Sequence, residues 1–141
     1  LRNCEAAPTG TGQFVVNVIT EHYTRQAVST SEDLAFGDSE FELSGLTPTP
    51  SSAVKPPRVA ESPVAFECET TEIVRLNPGA PGGGNVVLGR VVHIYVRDDL
   101  INDRHHIDAD ALAAVGRMAG ITYCTTRDRF EVPFGKAALD A

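Results

Sequence analysis

Two short stretches of this chain carry side chains suited to holding an anionic or aromatic ligand. The first is Gly116-Arg117-Met118-Ala119-Gly120-Ile121-Thr122-Tyr123. Arg117 offers a planar fork of donors for a phosphate, a carboxylate or a heterocycle edge, and Tyr123 offers a flat face with a hydroxyl. Gly116 and Gly120 would let backbone approach a ligand where a side chain would not, although glycines at this spacing also end helices. The second stretch, Lys55-Pro56-Pro57-Arg58, sets two cations around a rigid, extended dipeptide. It reads equally as a solvated turn or as a receptor for anionic groups.

Other candidates are weaker. Gly82-Gly83-Gly84 lacks the Lys-Ser/Thr and the helix that a phosphate loop requires, so a hairpin loop is the better reading. His106 and Asp110, four apart, suit two metal ligands on one helical turn, yet no further ligands have matching spacing. Asp108 is better explained as a helix cap, which leaves His105 and His106 in a solvated turn. His93, mid-strand, reads as a generic buried or interface histidine or as a polar group at a cofactor edge or across a dimer contact. Cys68 and Cys124 sit among apolar neighbours, as inert thiols do. No serine or cysteine sits in a nucleophile pattern.

Positioning these groups falls to a strand-rich chain. Gln13 to Thr20 is apolar on both sides, the mark of an interior strand, and Thr20 is placed to cap a short helix through Val28. Ser29 to Gly37 is turn-like. Prolines at 48, 50, 56, 57 and 63 prevent a regular central strand over 40–63. An ordered excursion anchored by Leu43, Leu46, Val54 and Val59 is expected there. Val64, Phe66 and Cys68 alternate with Ala65, Glu67 and Glu69, and a second arm follows over Val86 to Arg97 after the turn at 77–84. In that arm Val86, Leu88, Val92, Ile94 and Val96 face one way, and Val87, Val91, His93 and Tyr95 the other. Such a strand needs a layer over each face. Leu112, Val115 and Met118 at helical spacing predict a helix running from the Asp108 cap into the Gly116–Gly120 turn. Arg129 to Val132 predicts a closing strand, and 136–141 a loose tail.

The bulk properties narrow the partners. A chain of 141 residues suits one domain, here expected over 1–135, and a net charge of −7 with scattered basic residues disfavours nucleic acid. The most apolar stretch, Val86 to Val96, is interrupted by Arg90 and His93 and is too short to span a bilayer. Three widely spaced cysteines, Cys4, Cys68 and Cys124, form no disulfide framework, which favours a reduced cytoplasmic setting.

Five segments in this order resemble the flavin reductase-like family of FMN-binding split barrels: Gln13 to Val18, Glu40 to Thr47, Val54 to Pro63, Leu88 to His93 and Gly116 to Pro133. The resemblance implies a mainly β chain with short helices, a split β-barrel. It implies FMN as cofactor, NAD(P)H as hydride source and a homodimer with flavin at the subunit contact. No side-chain acid or nucleophile is then required, because the flavin carries the chemistry. Residues matching the family's cofactor region are Arg2, Asn3, Lys55, Arg58, Gly116, Arg117 and Tyr123. The opening Leu1-Arg2-Asn3 matches an interior motif of the family, so the chain is expected to lack the N-terminal part of the barrel. Alternatives on the same fold are a flavin or haem electron carrier and an interaction module without a cofactor. Recovering an upstream reading frame with phosphate-binding Ser, Thr and Lys would favour the cofactor-bearing readings.

Overall fold

The computed structural model describes residues 1–80 and 83–139. Its main element is a three-stranded antiparallel sheet in which β4 (Val64–Arg75) lies between β1 (Gln13–Asn17) and β5 (Asn85–Val96). The β4–β5 pair is the long arm expected from the alternation in the sequence. Val15 pairs with Glu67, Val16 with Phe66 and Asn17 with Ala65, so β1 lies beside the first half of β4. Pro81 and Gly82 lie outside the described residues, and with them the Gly82 end of the glycine run expected as a hairpin loop.

Pairing along the arm slips twice, between Glu67 and Cys68 and between Thr70 and Glu72. The first slip pairs Glu67 with His93 and Cys68 with Val91, leaving Val92 as the extra residue of a bulge. Strict alternation along β5 therefore breaks, and the expected grouping of Val91 with His93 and Tyr95 does not hold. The expected cover over both faces is not supplied by this chain alone: Val86, Leu88, Val91 and Ile94 are all exposed.

Between β1 and β4 the chain makes a long ordered excursion. It begins with α1 (Thr24–Ser29), crosses α2 (Glu40–Ser44), and forms a two-stranded ribbon from β2 (Pro48–Thr49) and β3 (Arg58–Val59). Thr20 does not cap α1. Tyr23 precedes the helix without a side-chain cap, and its hydroxyl donates to the Val18 carbonyl at 2.6 Å. The Thr24, Ser29, Thr30 and Ser31 hydroxyls each bond back to a carbonyl three or four residues earlier, which competes with helix propagation and keeps α1 short. Gly45 ends α2 in the left-handed region at φ 68°, where a residue with a Cβ is disfavoured. Leu46 and Val54 are buried as expected, whereas Leu43 is exposed and anchors nothing.

Asp108 caps α3 (Ala109–Leu112) by accepting the Asp110 and Ala111 amides, but that helix lasts one turn. The expected helix through Met118 is instead strand β6 (Val115–Ala119), paired with β7 (Thr122–Thr125). Helical spacing over so few residues is a weak signal, and Gly116 is a poor helix former. The tertiary partner decides the matter. Ala114 bridges to Thr20, and the Val115 amide donates to the Ile19 carbonyl at 3.0 Å. These bonds extend the sheet backbone and seat the hairpin beside the end of β1. Arg129 to Val132, expected as a strand, has no regular structure. Gly135–Leu139 forms a 3-10 turn, and residues 140–141 of the expected tail lie outside the described residues. Among the described residues the buried set is small: Tyr23, Leu46, Val54, Pro63, Val64, Ala65, Cys68 and Leu100, together with Thr20, Ser62 and Glu67.

Candidate functional site

The candidate residues fall in three places. Arg117 and Tyr123 are paired across the β6–β7 hairpin, and Gly116 pairs with Cys124. Arg117 thus stands on a strand rather than at a helix end. Its Nε and Nη2 donate to the Gly120 carbonyl at 3.3 and 3.1 Å, so two of its donors close its own turn. Gly120 has φ 52°, which that turn demands, and a Cβ on Gly116 would sit 3.1 Å from the Cys124 Sγ. Arg117, Gly120 and Tyr123 line a cavity of about 360 Å³ whose other walls include Ile19, Val28 and Ile121. It is a mostly apolar slot with one cation and one phenol.

Arg2 and Asn3 lie in the opening 3-10 turn, Arg2–Cys4. Arg2 sits 5.0 Å above the Phe36 ring, and both residues line a second cavity of about 380 Å³ with Asp38 and Glu40. The two acidic groups make this cavity mixed in charge rather than positive.

Lys55 and Arg58 line neither cavity. They ride on the excursion where it crosses the face of the sheet, and side chains rather than a strand ladder hold it there. Ser52 and Ala53 donate their amides to the two carboxylate oxygens of Glu67 at 2.8 and 2.6 Å. Lys55 donates its amide to Gln13 Oε1 at 2.9 Å, and Val59 donates to Asn17 Oδ1 at 3.0 Å. Pro56 and Pro57 have no amide to satisfy. Seated in this way, the Arg58 guanidinium carbon lies 3.6 Å from the centroid of the Tyr95 ring, a stacked cation–π contact. Its Nε is buried and has no partner. A buried guanidinium donor without an acceptor is unusual. Arg58 as a whole is half-exposed, so an anionic or carbonyl-bearing group would meet the outer N–H groups of the same guanidinium.

Glu67, Gln13, Asn17 and Tyr95 were not picked out by reading motifs. The available signal was two polar residues four apart in an otherwise apolar strand, Gln13 and Asn17. Glu67 is fully buried. Burial by itself would raise its pKa, but the amides of Ser52 and Ala53, the charge of His93 and the Val54 amide outweigh burial and hold it below the ordinary carboxylate value. Glu61 is also lowered: desolvation opposes, and the Thr47 amide, 3.1 Å from both oxygens, prevails. Groups whose folded pKa is depressed stabilise the fold above their unfolded pKa, and that contribution disappears as pH falls through the folded value. The urea midpoint is therefore expected to drop as pH goes below about 4, and Glu67→Gln should flatten that drop. An equal drop in both proteins, followed by tyrosine fluorescence, would remove Glu67 from the account.

His105 and His106 are exposed, in a turn where Asn102 Oδ1 accepts the Arg104 and His106 amides. Among the described residues no group of three or more His, Cys, Asp or Glu side chains is placed to hold a metal ion. No helix there is long and apolar enough to cross a membrane.

Comparison with known proteins bears on the sheet and the excursion together. The family model described as flavin reductase like domain matches residues 9–109, which include β1, Lys55, Arg58, β4 and β5. An uncharacterized protein of Halalkalibacterium halodurans is 39% identical over 115 residues, 79% of this chain and 54% of its own. An uncharacterized protein of Deinococcus radiodurans is 33% identical over 124 residues, 86% of this chain and 52% of its own. The chain spans about half the length of the curated relatives it matches. Among solved structures, nitrilotriacetate monooxygenase component B from Bacillus cereus superposes with a TM-score of 0.77 at 30% identity, over 86% of this chain and 60% of that one. The Pseudomonas fluorescens 2-nitrobenzoate 2-nitroreductase gives 0.76 at 30% identity, over 89% and 60%. A Shewanella frigidimarina protein with a split barrel domain gives 0.77 at 28% identity, over 89% and 62%. The fold is thus mainly β with short helices, of the split-barrel type, and the chain belongs to the flavin reductase like domain family.

Proposed function

We propose that this chain contributes to an FMN-binding protein that passes hydride from NAD(P)H through the flavin, working as a homodimer. The observation that carries this reading is the family match across 9–109, which spans the sheet and the segment bearing Arg58 with its unpartnered buried donor. The flavin, when bound, supplies the hydride acceptance and donation that no side chain here offers.

The chain's own residues bind and tune. Arg58 and Lys55 present positive charge that would stabilise an anionic reduced ring or receive a nicotinamide phosphate. The stack on Tyr95 holds the Arg58 guanidinium plane in one orientation, so little freedom is lost when an acceptor arrives. Tyr123 and Arg117 offer a second apolar slot with one polar end, and Arg2 and Asn3 a third contact region. The exposed apolar residues of β5 support a second copy as cover. Free thiols at Cys4, Cys68 and Cys124 support a reducing, cytoplasmic setting.

The test is an absorbance spectrum of the purified chain after FMN addition and gel filtration, followed by an NAD(P)H oxidation assay. Co-eluting flavin with NAD(P)H oxidation is the expected result. Co-eluting flavin without oxidation would favour an electron carrier, and a colourless protein would overturn flavin binding by this chain. In a flavin-binding preparation, Arg117→Ala is expected to weaken FMN by about 1–3 kcal/mol if one of its remaining donors meets the cofactor. Unchanged affinity, read by flavin fluorescence, would reduce Arg117 to the residue that closes its own turn.

A further inference from the structure

The acceptors that hold the excursion form a row. Gln13 and Asn17 lie two residues either side of Val15, and Val15 pairs with Glu67. Residues two apart in a strand share a face, and so do residues directly opposite in an antiparallel pair. Gln13, Glu67 and Asn17 therefore stand on one face of the sheet. Tyr95 joins them, because Asn17 pairs with Ala65 and Ala65 with Tyr95. All three acceptors are used on one eight-residue stretch, Ser52 to Val59. The only charged acceptor among them is Glu67, whose two oxygens each take one amide, and charge-assisted bonds of this kind are the stronger ones.

Building on the reading of Arg58 as a flavin contact, we propose that Glu67 is a positioning residue: with Gln13 and Asn17 it seats the 52–59 segment so that the Arg58 guanidinium is held over Tyr95, in the place from which it meets the cofactor. A buried carboxylate is a costly way to hold a loop unless the loop's position matters. The Ser52 and Ala53 amides give each of its oxygens a partner, and what it fixes is the approach of the Pro56-Pro57-Arg58 run to the sheet. Glu67 itself touches no ligand in this arrangement. Its effect on binding passes through Arg58.

The test is a double-mutant cycle on FMN affinity, read by flavin fluorescence, together with amide hydrogen exchange over 52–59 in the flavin-free protein. Glu67→Gln keeps the size and one acceptor but sets an amide NH2 against a backbone N–H. It is expected to speed exchange at Ser52 and Ala53, spreading to Lys55 and Val59, and to weaken FMN roughly tenfold, the loss of one charge-assisted contact. Arg58→Ala should weaken FMN by a similar factor. The combined variant should bind no more weakly than Arg58→Ala alone, within about twofold, because both act through one contact.

Additive losses, or FMN affinity unchanged by Glu67→Gln despite faster exchange, would overturn the positioning role. If the unmodified chain holds no FMN, the functional reading fails first, and Glu67 is left as a packing residue. Should Glu67→Gln not fold, Asn17→Ala, which removes only the acceptor of the Val59 amide, enters the same cycle with the same expectations.

Discussion

Glu67→Leu is expected to destabilise the folded chain by about 2–4 kcal/mol, more than Glu67→Gln. The substitution sets a somewhat larger apolar side chain where the acceptor of the Ser52 and Ala53 amides stood, at about 1–3 kcal/mol for each amide that it shuts off from water. Removing a carboxylate that burial had desolvated returns part of that cost. The loss should be largest near neutral pH and shrink in acid, because protonating Glu67 weakens the wild-type contacts as well. Urea unfolding at neutral and acid pH, followed by tyrosine fluorescence, measures both. A destabilisation under about 1 kcal/mol would mean that the 52–59 segment is held chiefly by Val54 and the ribbon, and that Glu67 is incidental. Two other side chains grip the same segment, so the segment is expected to loosen while the sheet survives.

Gly10→Ala is expected to be the most damaging glycine-to-alanine change among the described residues. A Cβ there would meet the carbonyl oxygens of Arg2, Glu5 and Asn3 at 2.2, 2.6 and 2.8 Å. These are backbone atoms, and none can rotate away. The turn is tightly bonded: the Thr11 amide donates to the Asn3 carbonyl and the Gly12 amide to that of Glu5. Overpacking of this kind costs about 3 kcal/mol, a melting temperature lower by roughly 10 °C. Gly89→Ala is the natural control. Its Cβ would meet the tip of the Phe14 ring at 2.5 Å, and a side-chain tip has somewhere to go. Calorimetry on the two variants gives the order; a milder Gly10→Ala would show that the opening turn yields as a unit. The same variant displaces Arg2 and Asn3, so any FMN affinity it loses reports on that end of the candidate site.

The two long arms and the Asp108 cap were legible because each is a local pattern: alternation, and an acid before a helix. Gln13 to Thr20, expected as an interior strand, instead supplies the edge strand β1 over Gln13–Asn17 with Val16 exposed, because a two-faced apolar run does not say on how many sides a strand is paired. The helix expected through Met118 was misread for a physical reason. Leu112, Val115 and Met118 satisfy helical spacing, but the bonds from Ile19 and the pairing with Thr122 to Thr125 come from elsewhere in the chain. Local propensity has no information about a partner strand. Arg129 to Val132 failed in the opposite sense, as an alternating pattern with no neighbour to pair with. Leu43 failed because apolar identity says nothing about whether a surface lies opposite.

By itself the sequence determined the class, the family resemblance and the residues able to meet an anionic cofactor, since these follow from residue types and their order along the chain. Tertiary structure alone decided which donors remain free. Arg117 spends two on Gly120, while Arg58, stacked on Tyr95, keeps a buried Nε without a partner. It also decided that Gln13, Glu67 and Asn17 form one row, because residues more than forty positions apart reach a common face only when β1 pairs with β4.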